Sequence, residues 1–149
     1  MFVLDTNVVS ELRKVKAGKA DRNVTMWASS VPAETLYVSV ITILELETGV
    51  LLVQRRDPAQ GALLRAWLDR HVLPAFADRV LPVDTAVAQR CAGLHVPDPR
   101  SDRDALIAAT AMVHSMTVVT RNVDDFAATG APLLNPWDTV VQPGGRGKR

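Results

Sequence analysis

Several acidic residues stand where a carboxylate could take part in chemistry. Asp5 follows a short apolar run, Glu45 lies within an otherwise apolar segment, and Asp104 opens a run that is apolar almost throughout. Asp124 and Asp125 follow a later apolar stretch. Ligands of parallel α/β sheets bind beyond the carboxyl ends of the strands, so these acids could all meet at one edge.

Carboxylates that converge in one cleft repel one another, and hard cations such as Mg²⁺ or Mn²⁺ relieve that repulsion. Such a cation lowers the pKa of bound water and stabilises the attacking and leaving oxygens of a phosphodiester. The acids therefore predict metal-dependent phosphodiester hydrolysis.

Each acid also has an ordinary structural explanation. Asp5 could cap a helix that starts near Val8. Glu45 could lie on a solvated helix face with Glu47, although residues two apart do not share a face, so at most one of them is comfortably in water.

The later acids have similar alternatives. The segment Ser101-Asp102-Arg103-Asp104 fits a capping box, in which the helix dipole favours an acid at Asp104, the third helical position. Asp102 could then be the functional acid and Asp104 the capping residue. Asp124 and Asp125 could be solvated turn residues.

Short apolar runs alternate with helical patterns, which predicts an α/β protein with a parallel sheet covered on both faces. The four predicted strands are Phe2 to Leu4, Leu36 to Val40, Arg79 to Val83 and Thr117 to Thr120. The predicted helices are Val24 to Ser30, Ile41 to Gln54, Gln60 to Ala77, Thr85 to Leu94 and Asp102 to Ser115. The third could pair with the second as a hairpin, and only short extended pieces are expected around Pro132 and Pro136.

The composition indicates one folded domain. The chain has 149 residues, of which 48% are apolar and 22% charged, as in an average globular protein. No apolar run has the roughly 18 residues of a membrane helix, and the opening lacks the features of a signal peptide. With one cysteine, Cys91, we expect a cytoplasmic protein without disulfides.

Charge is unevenly distributed. The net charge is +1, but Arg146, Lys148 and Arg149 contribute three positive charges, which leaves residues 1–145 at −2. A general basic footprint for nucleic acid is therefore absent. Residues 1–141 are predicted to form the domain and residues 142–149 a flexible basic tail.

Other chemistries lack their motifs. His71, His95 and His114 show no zinc-ligand spacing. The sequence contains no GxGxxG, GxxxxGK[ST] or GxSxG, which excludes the usual dinucleotide, P-loop and esterase sites.

Four segments resemble PIN-domain ribonucleases of the VapC type, and the likeness extends to about Val141. They are Phe2 to Glu11, Ser39 to Gly49, Asp104 to Ala111, and Thr117 to Asn122 with Asp125-Phe126. Asn135-Pro136-Trp137 is similar to the FitB-like branch of that family.

The resemblance implies a PIN-domain-like three-layer fold, with a central, mainly parallel sheet of four to five strands flanked by helices. It also implies an endoribonuclease that uses Mg²⁺, or Mn²⁺ in its place, to cut tRNA or ribosomal RNA as the toxin of a VapBC-type pair. The positions that match the family's metal-binding acids are Asp5, Glu45 and Asp104, and the polar neighbours are Thr6, Ser39 and Thr120.

One position departs from many relatives. Asn122 stands where they carry a fourth acid, and a neutral amide would hold a second metal less strongly. Asp125 or Asp124 could supply the charge instead, so Asn122 and Asp125 complete the predicted catalytic set.

The resemblance also implies partners. These are a cognate VapB-type antitoxin that sets an arginine against the acids, the RNA substrate, and a second copy of the chain in a homodimer or a larger assembly with the antitoxin. Candidate phosphate contacts are Arg13, Lys14, Lys16 and Lys19, which could equally be a solvated basic stretch.

Two other functions compete. A catalytically silent PIN module that only binds RNA or a protein would be consistent with Asn122 and the weak basic charge. A phosphotransfer enzyme with Asp5 as nucleophile would need a second aspartate at position 7, where the chain has Asn7.

Overall fold

A five-stranded sheet, whose paired strands all run parallel, forms the centre of the computed structural model, which describes residues 1–138. The strand order is β3-β2-β1-β4-β5. The strands are β1 (Phe2–Leu4), β2 (Leu36–Ser39), β3 (Val80–Leu81), β4 (Thr117–Val119) and β5 (Leu133–Leu134). The predicted tail at 142–149 and the predicted domain end at 141 lie outside the described residues.

The strands differ in detail from the prediction. The second strand ends at Ser39 rather than Val40, because the Ser39 hydroxyl accepts a hydrogen bond from the Ile41 amide and starts a helix there. The third has only two residues, and the fourth ends at Val119. The four strands counted from sequence become five, because β4 also pairs with the extended piece that follows Pro132.

Helices connect the strands and cover both faces of the sheet. They are α1 (Thr6–Leu12), α2 (Arg22–Ser29), α3 (Val40–Arg56), α4 (Pro58–Trp67), α5 (Leu73–Ala75), α6 (Thr85–Leu94), α7 (Asp102–Val113) and α8 (Val123–Phe126). Within residues 1–138, no helix is both long and apolar enough to cross a membrane.

Helix boundaries differ from several predictions. The second helix begins two residues before Val24 and ends at Ser29, and α3 begins one residue before Ile41 and ends two residues after Gln54. The first helix begins at Thr6 instead of near Val8, and α7 ends at Val113. The predicted helix from Gln60 to Ala77 is α4 and α5 joined by a π-helical turn at Leu68–Val72. The sixth helix has its predicted bounds, and Asp84 caps it by accepting a hydrogen bond from Val87 N.

The hairpin of α3 and α4 is confirmed. Asp57 ends α3 and caps α4 by accepting a hydrogen bond from Gln60 N. The helices approach so closely at Gly61 that a Cβ there would lie 2.4 Å from the Cα of Gln54. This hairpin fixes the direction of the α3 face that carries Glu45.

Two apolar layers lie against the sheet, one on each face, and alternate residues of β1 enter them. Leu4 packs in the layer formed with α1 and α3, whereas Val3 packs in the layer formed with α7. The seventh helix is interior as predicted, with Ala105, Ile107, Ala108, Ala109 and Ala111 all buried. Because β1 is the middle strand, Asp5 leaves the sheet at its centre.

Candidate active site at the carboxyl edge of the sheet

Asp5 is the buried carboxylate at the centre of the edge. It caps α1 by accepting a 2.8 Å hydrogen bond from Thr6 N at Oδ1, so its structural and functional interpretations are compatible. Its Oδ2 accepts a second bond of 2.8 Å from the Thr120 hydroxyl. Burial raises the pKa of Asp5. The two hydrogen bonds lower this pKa, and the charges of Glu45 and Asp125 raise it.

Glu45 faces this edge from α3. The Thr6 hydroxyl donates a 2.6 Å hydrogen bond to Glu45 Oε1, and Arg103 Nη1 lies 3.7 Å from Oε2. Glu47 is instead paired with Arg65 of α4, which lowers the pKa of Glu47 through a hydrogen bond. Of the two glutamates, Glu45 is therefore the one directed at the cleft.

Asp104 approaches from the first turn of α7. Burial raises its pKa to about 6, with the charges of Asp5, Asp125 and Glu45 acting in the same direction. Ser101 precedes the helix but makes no side-chain capping bond, so the predicted capping box does not form. Asp102 is 89% exposed and faces His95, which leaves Asp104 as the acid of this helix that belongs to the cleft.

The loop after β4 contributes Asp125. The Asp125 carboxylate is exposed, yet its charge raises the pKa of both Asp5 and Asp104. Asn122 is exposed and precedes α8 without capping it through its side chain, and its backbone N–H donates to the Thr120 hydroxyl. Asp124 is exposed as well.

Hydroxyl and amide groups hold the acids in place. Thr120 is fully buried against Asp5, and Ser39 is buried as the cap of α3 rather than in contact with an acid. Sequence reasoning missed two residues here. The Thr42 hydroxyl lies 3.2 Å from that of Thr6, and Asn7 Nδ2 lies 3.4 Å from both Asp5 Oδ2 and Thr120 Oγ1.

A cavity of about 350 Å³ adjoins the acids on the α8 side. Asp104 and Asp125 lie on its wall with Arg100, Ser101 and Thr129, so its lining is largely polar. Arg100 is anchored, because its Nε donates to Leu94 O at 2.7 Å and an Nη donates to Ala128 O at 3.4 Å.

The donor set of this edge fits a hard divalent cation. Its side-chain donors are carboxylate, hydroxyl and amide oxygens, and its carboxylates repel one another. Within residues 1–138, no three acidic, histidine or cysteine side chains are grouped closely enough to hold a metal ion.

Of the predicted basic contacts, Arg13 lines a cavity with Thr6 and Glu45, whereas the three lysines do not. Lys14 forms a 3.0 Å ion pair with Glu11, and Arg13 lies over the ring of Trp67, 5.9 Å from its centroid. Lys16 lines a separate cavity with Trp67 and His71, and Lys19 is exposed in the loop before α2. The ion pair with Glu11 therefore favours a structural role for Lys14 over a phosphate contact.

Comparison with known proteins identifies the family. The sequence matches the family model described as PIN domain over residues 2–132. It is 40% identical over 146 residues to VapC ribonuclease Y4jK of Sinorhizobium fredii, covering 93% of this chain and 99% of the relative. It is 36% identical over 142 residues to toxin FitB of Neisseria gonorrhoeae, covering 92% and 99%.

The fold is similar to a solved structure of FitAB bound to an IR36 DNA fragment. The TM-score is 0.84 at 34% identity, over 94% of this chain and 98% of that chain. The chain belongs to the PIN domain family, as its motifs predicted.

Proposed function

We propose that this chain is an endoribonuclease toxin of a VapBC-type toxin-antitoxin pair and hydrolyses RNA phosphodiester bonds with the help of Mg²⁺ or Mn²⁺. The observation that carries the proposal is the cleft at the carboxyl edge of the sheet, where the charges of Glu45 and Asp125 act on the carboxyls of both Asp5 and Asp104. Relatives named ribonuclease and toxin support the choice of reaction and role.

Asp5, Glu45 and Asp104 would hold the cation. A divalent cation bound there would supply Lewis-acid activation of water and charge neutralisation at the phosphate. Thr6 and Thr120 position two of these acids, since each donates a hydrogen bond to a carboxylate oxygen.

Asp125 would replace the acid that many relatives have at the position of Asn122. Its charge already acts on Asp5 and Asp104, whereas the Asn122 side chain is neutral and exposed. Asn122 would then complete the site as a neutral ligand or substrate contact.

The proposed partners are an RNA, an antitoxin and a second copy of the chain. Toxin FitB and the FitAB structure support the antitoxin. A basic side chain of the antitoxin set among four carboxylates would compete with the cation, because an arginine fork binds carboxylates in pairs.

The test is cleavage of an end-labelled pool of tRNA and ribosomal RNA by the purified chain with Mg²⁺, Mn²⁺ or EDTA. Discrete bands that need the cation and disappear in Asp5→Ala are expected. Absence of cleavage by folded, antitoxin-free protein that also binds no Mn²⁺ in calorimetry would refute the proposal and favour a silent binding module.

A further inference from the structure

Arg103 is the arginine that forms an ion pair with an acid of the cleft. We propose that it binds a phosphate of the RNA beside the scissile bond, and that in the metal-free protein it is held at Glu45 instead. This inference rests on the ribonuclease function proposed above and adds the residue that recognises the substrate's charge.

The contact of Arg103 with Glu45 joins two elements that both end at the cleft. Arg103 Nη1 lies 3.7 Å from Glu45 Oε2, while the other carboxylate oxygen, Oε1, accepts the hydrogen bond from Thr6. Within residues 1–138, this is the one ion pair between a lysine or arginine and any of the four cleft acids.

The guanidinium retains donors for a second partner. The Arg103 side chain is 50% exposed, whereas that of Glu45 is 26% exposed, so the arginine lies on the solvent side of the pair. A guanidinium has five N–H donors in a planar fork that matches a phosphate. A single contact of 3.7 Å leaves most of that fork available to a ligand.

Other cations near the cleft have partners outside the four acids. Arg100 is bound to the carbonyls of Leu94 and Ala128, and Lys14 is paired with Glu11. Arg13 lines a cavity with Glu45, but its guanidinium lies over the ring of Trp67. That of Arg121, next to Thr120, lies over the ring of Trp137. Arg103 is therefore the cation best placed to offset the repulsion between an acidic cleft and a polyanion.

Because Arg103 contacts Glu45, its guanidinium and a metal ion would compete for the same carboxylate. An ion pair that is partly exposed contributes little free energy, so the cation can displace it. Displacement frees the arginine beside the ligand acids, where a phosphate can take the place of the carboxylate. Loss of Arg103 should then have opposite effects on the two ligands: tighter metal binding and weaker RNA binding.

The experiment compares wild type with Arg103→Gln and Arg103→Lys. Mn²⁺ affinity is measured by calorimetry without RNA, and binding of a fluorescein-labelled single-stranded RNA is measured by anisotropy in Ca²⁺ over a range of salt, with the RNA checked for cleavage on a gel. Arg56→Gln is the matched control, since Arg56 is exposed on the same helix as Glu45 but about 16 Å further along it.

We expect Arg103→Gln to bind Mn²⁺ about two- to fivefold more tightly. It should bind RNA about three- to tenfold less tightly, and the slope of log affinity against log salt should fall by about 0.7, the value for one phosphate contact on a single strand. Arg103→Lys keeps the charge and should keep the slope. Arg56→Gln should match wild type in both assays.

An unchanged salt slope and unchanged Mn²⁺ affinity in Arg103→Gln, with wild type binding and cutting RNA, would overturn this inference and leave the ribonuclease function intact. A wild-type protein that neither binds nor cuts RNA would overturn both. A melting curve like that of wild type shows that the variant is folded, and a purely structural role of Arg103 would not move the salt slope.

Discussion

Replacing Asp104 by asparagine should stabilise the metal-free protein at neutral pH while it destroys the site. Burial, and after it the charges of Asp5, Asp125 and Glu45, raise the pKa of Asp104 from the ordinary 3.8 to about 6. An acid whose pKa is raised in the folded protein makes its full contribution to the free energy of unfolding below pH ~4, where it is protonated. That contribution is lost as the pH rises through ~6, because the folded protein must then hold the charge. Asparagine has the same shape and carries no charge at any of these pH values.

The size of the gain follows from the two pKa values. Each pH unit between them corresponds to about 1.4 kcal/mol, which gives roughly 3 kcal/mol as an upper limit. Because Asp104 is only partly buried, solvent screening should reduce the gain in unfolding free energy to about 1–2 kcal/mol at pH 7. At pH 4 the difference from wild type should nearly vanish.

Urea unfolding in EDTA at intervals from pH 4 to pH 8 measures this difference. Asp102→Asn is the control, because it removes a charge from the same helix turn at a side chain that is 89% exposed; it should give no comparable gain. An Asp104→Asn protein that is no more stable than wild type at pH 7, or equally more stable at pH 4, would refute the electrostatic argument.

Two further substitutions test the supports of the site. Thr120→Val removes a buried hydroxyl that donates to Asp5, so it should lower RNA cleavage at least tenfold and cost about 1–3 kcal/mol in thermal or urea unfolding; activity equal to wild type would show that Asp5 needs no such partner. Gly61→Ala places a Cβ against the Gln54 backbone and should cost about 1–3 kcal/mol of unfolding free energy, whereas an unchanged melting temperature would mean that α3 and α4 separate without cost.

The sequence located four of the five strands, with ends within two residues, and pointed to the acids that the fold brings to one edge, because both depend on local pattern. Asp5 follows a buried β1, and Glu45 stands inside an apolar helix where an acid is conspicuous. The helical pattern alone did not show which glutamate faces the cleft, since that depends on Arg65 reaching Glu47 across a hairpin; the choice of Glu45 came from the family resemblance.

Other features needed tertiary structure. The π-helical turn at Leu68–Val72 carries no local signal distinguishing it from an α-helix.

Thr42 could have been found, because it precedes Glu45 by three residues and so shares its helix face. The pairing of Lys14 with Glu11 has the same three-residue spacing, and recognising it would have removed Lys14 from the candidate phosphate contacts.

The most direct test of the account uses the two glutamates of α3 as a matched pair. Glu45 faces the cleft through Thr6, and Glu47 faces α4 through Arg65. Cleavage of the end-labelled RNA pool in Mg²⁺ should fall at least a hundredfold in Glu45→Gln and stay within about threefold of wild type in Glu47→Gln, in line with loss of a charged group at the reacting centre. Equal activity of the two variants would contradict the claim that this cleft cuts RNA.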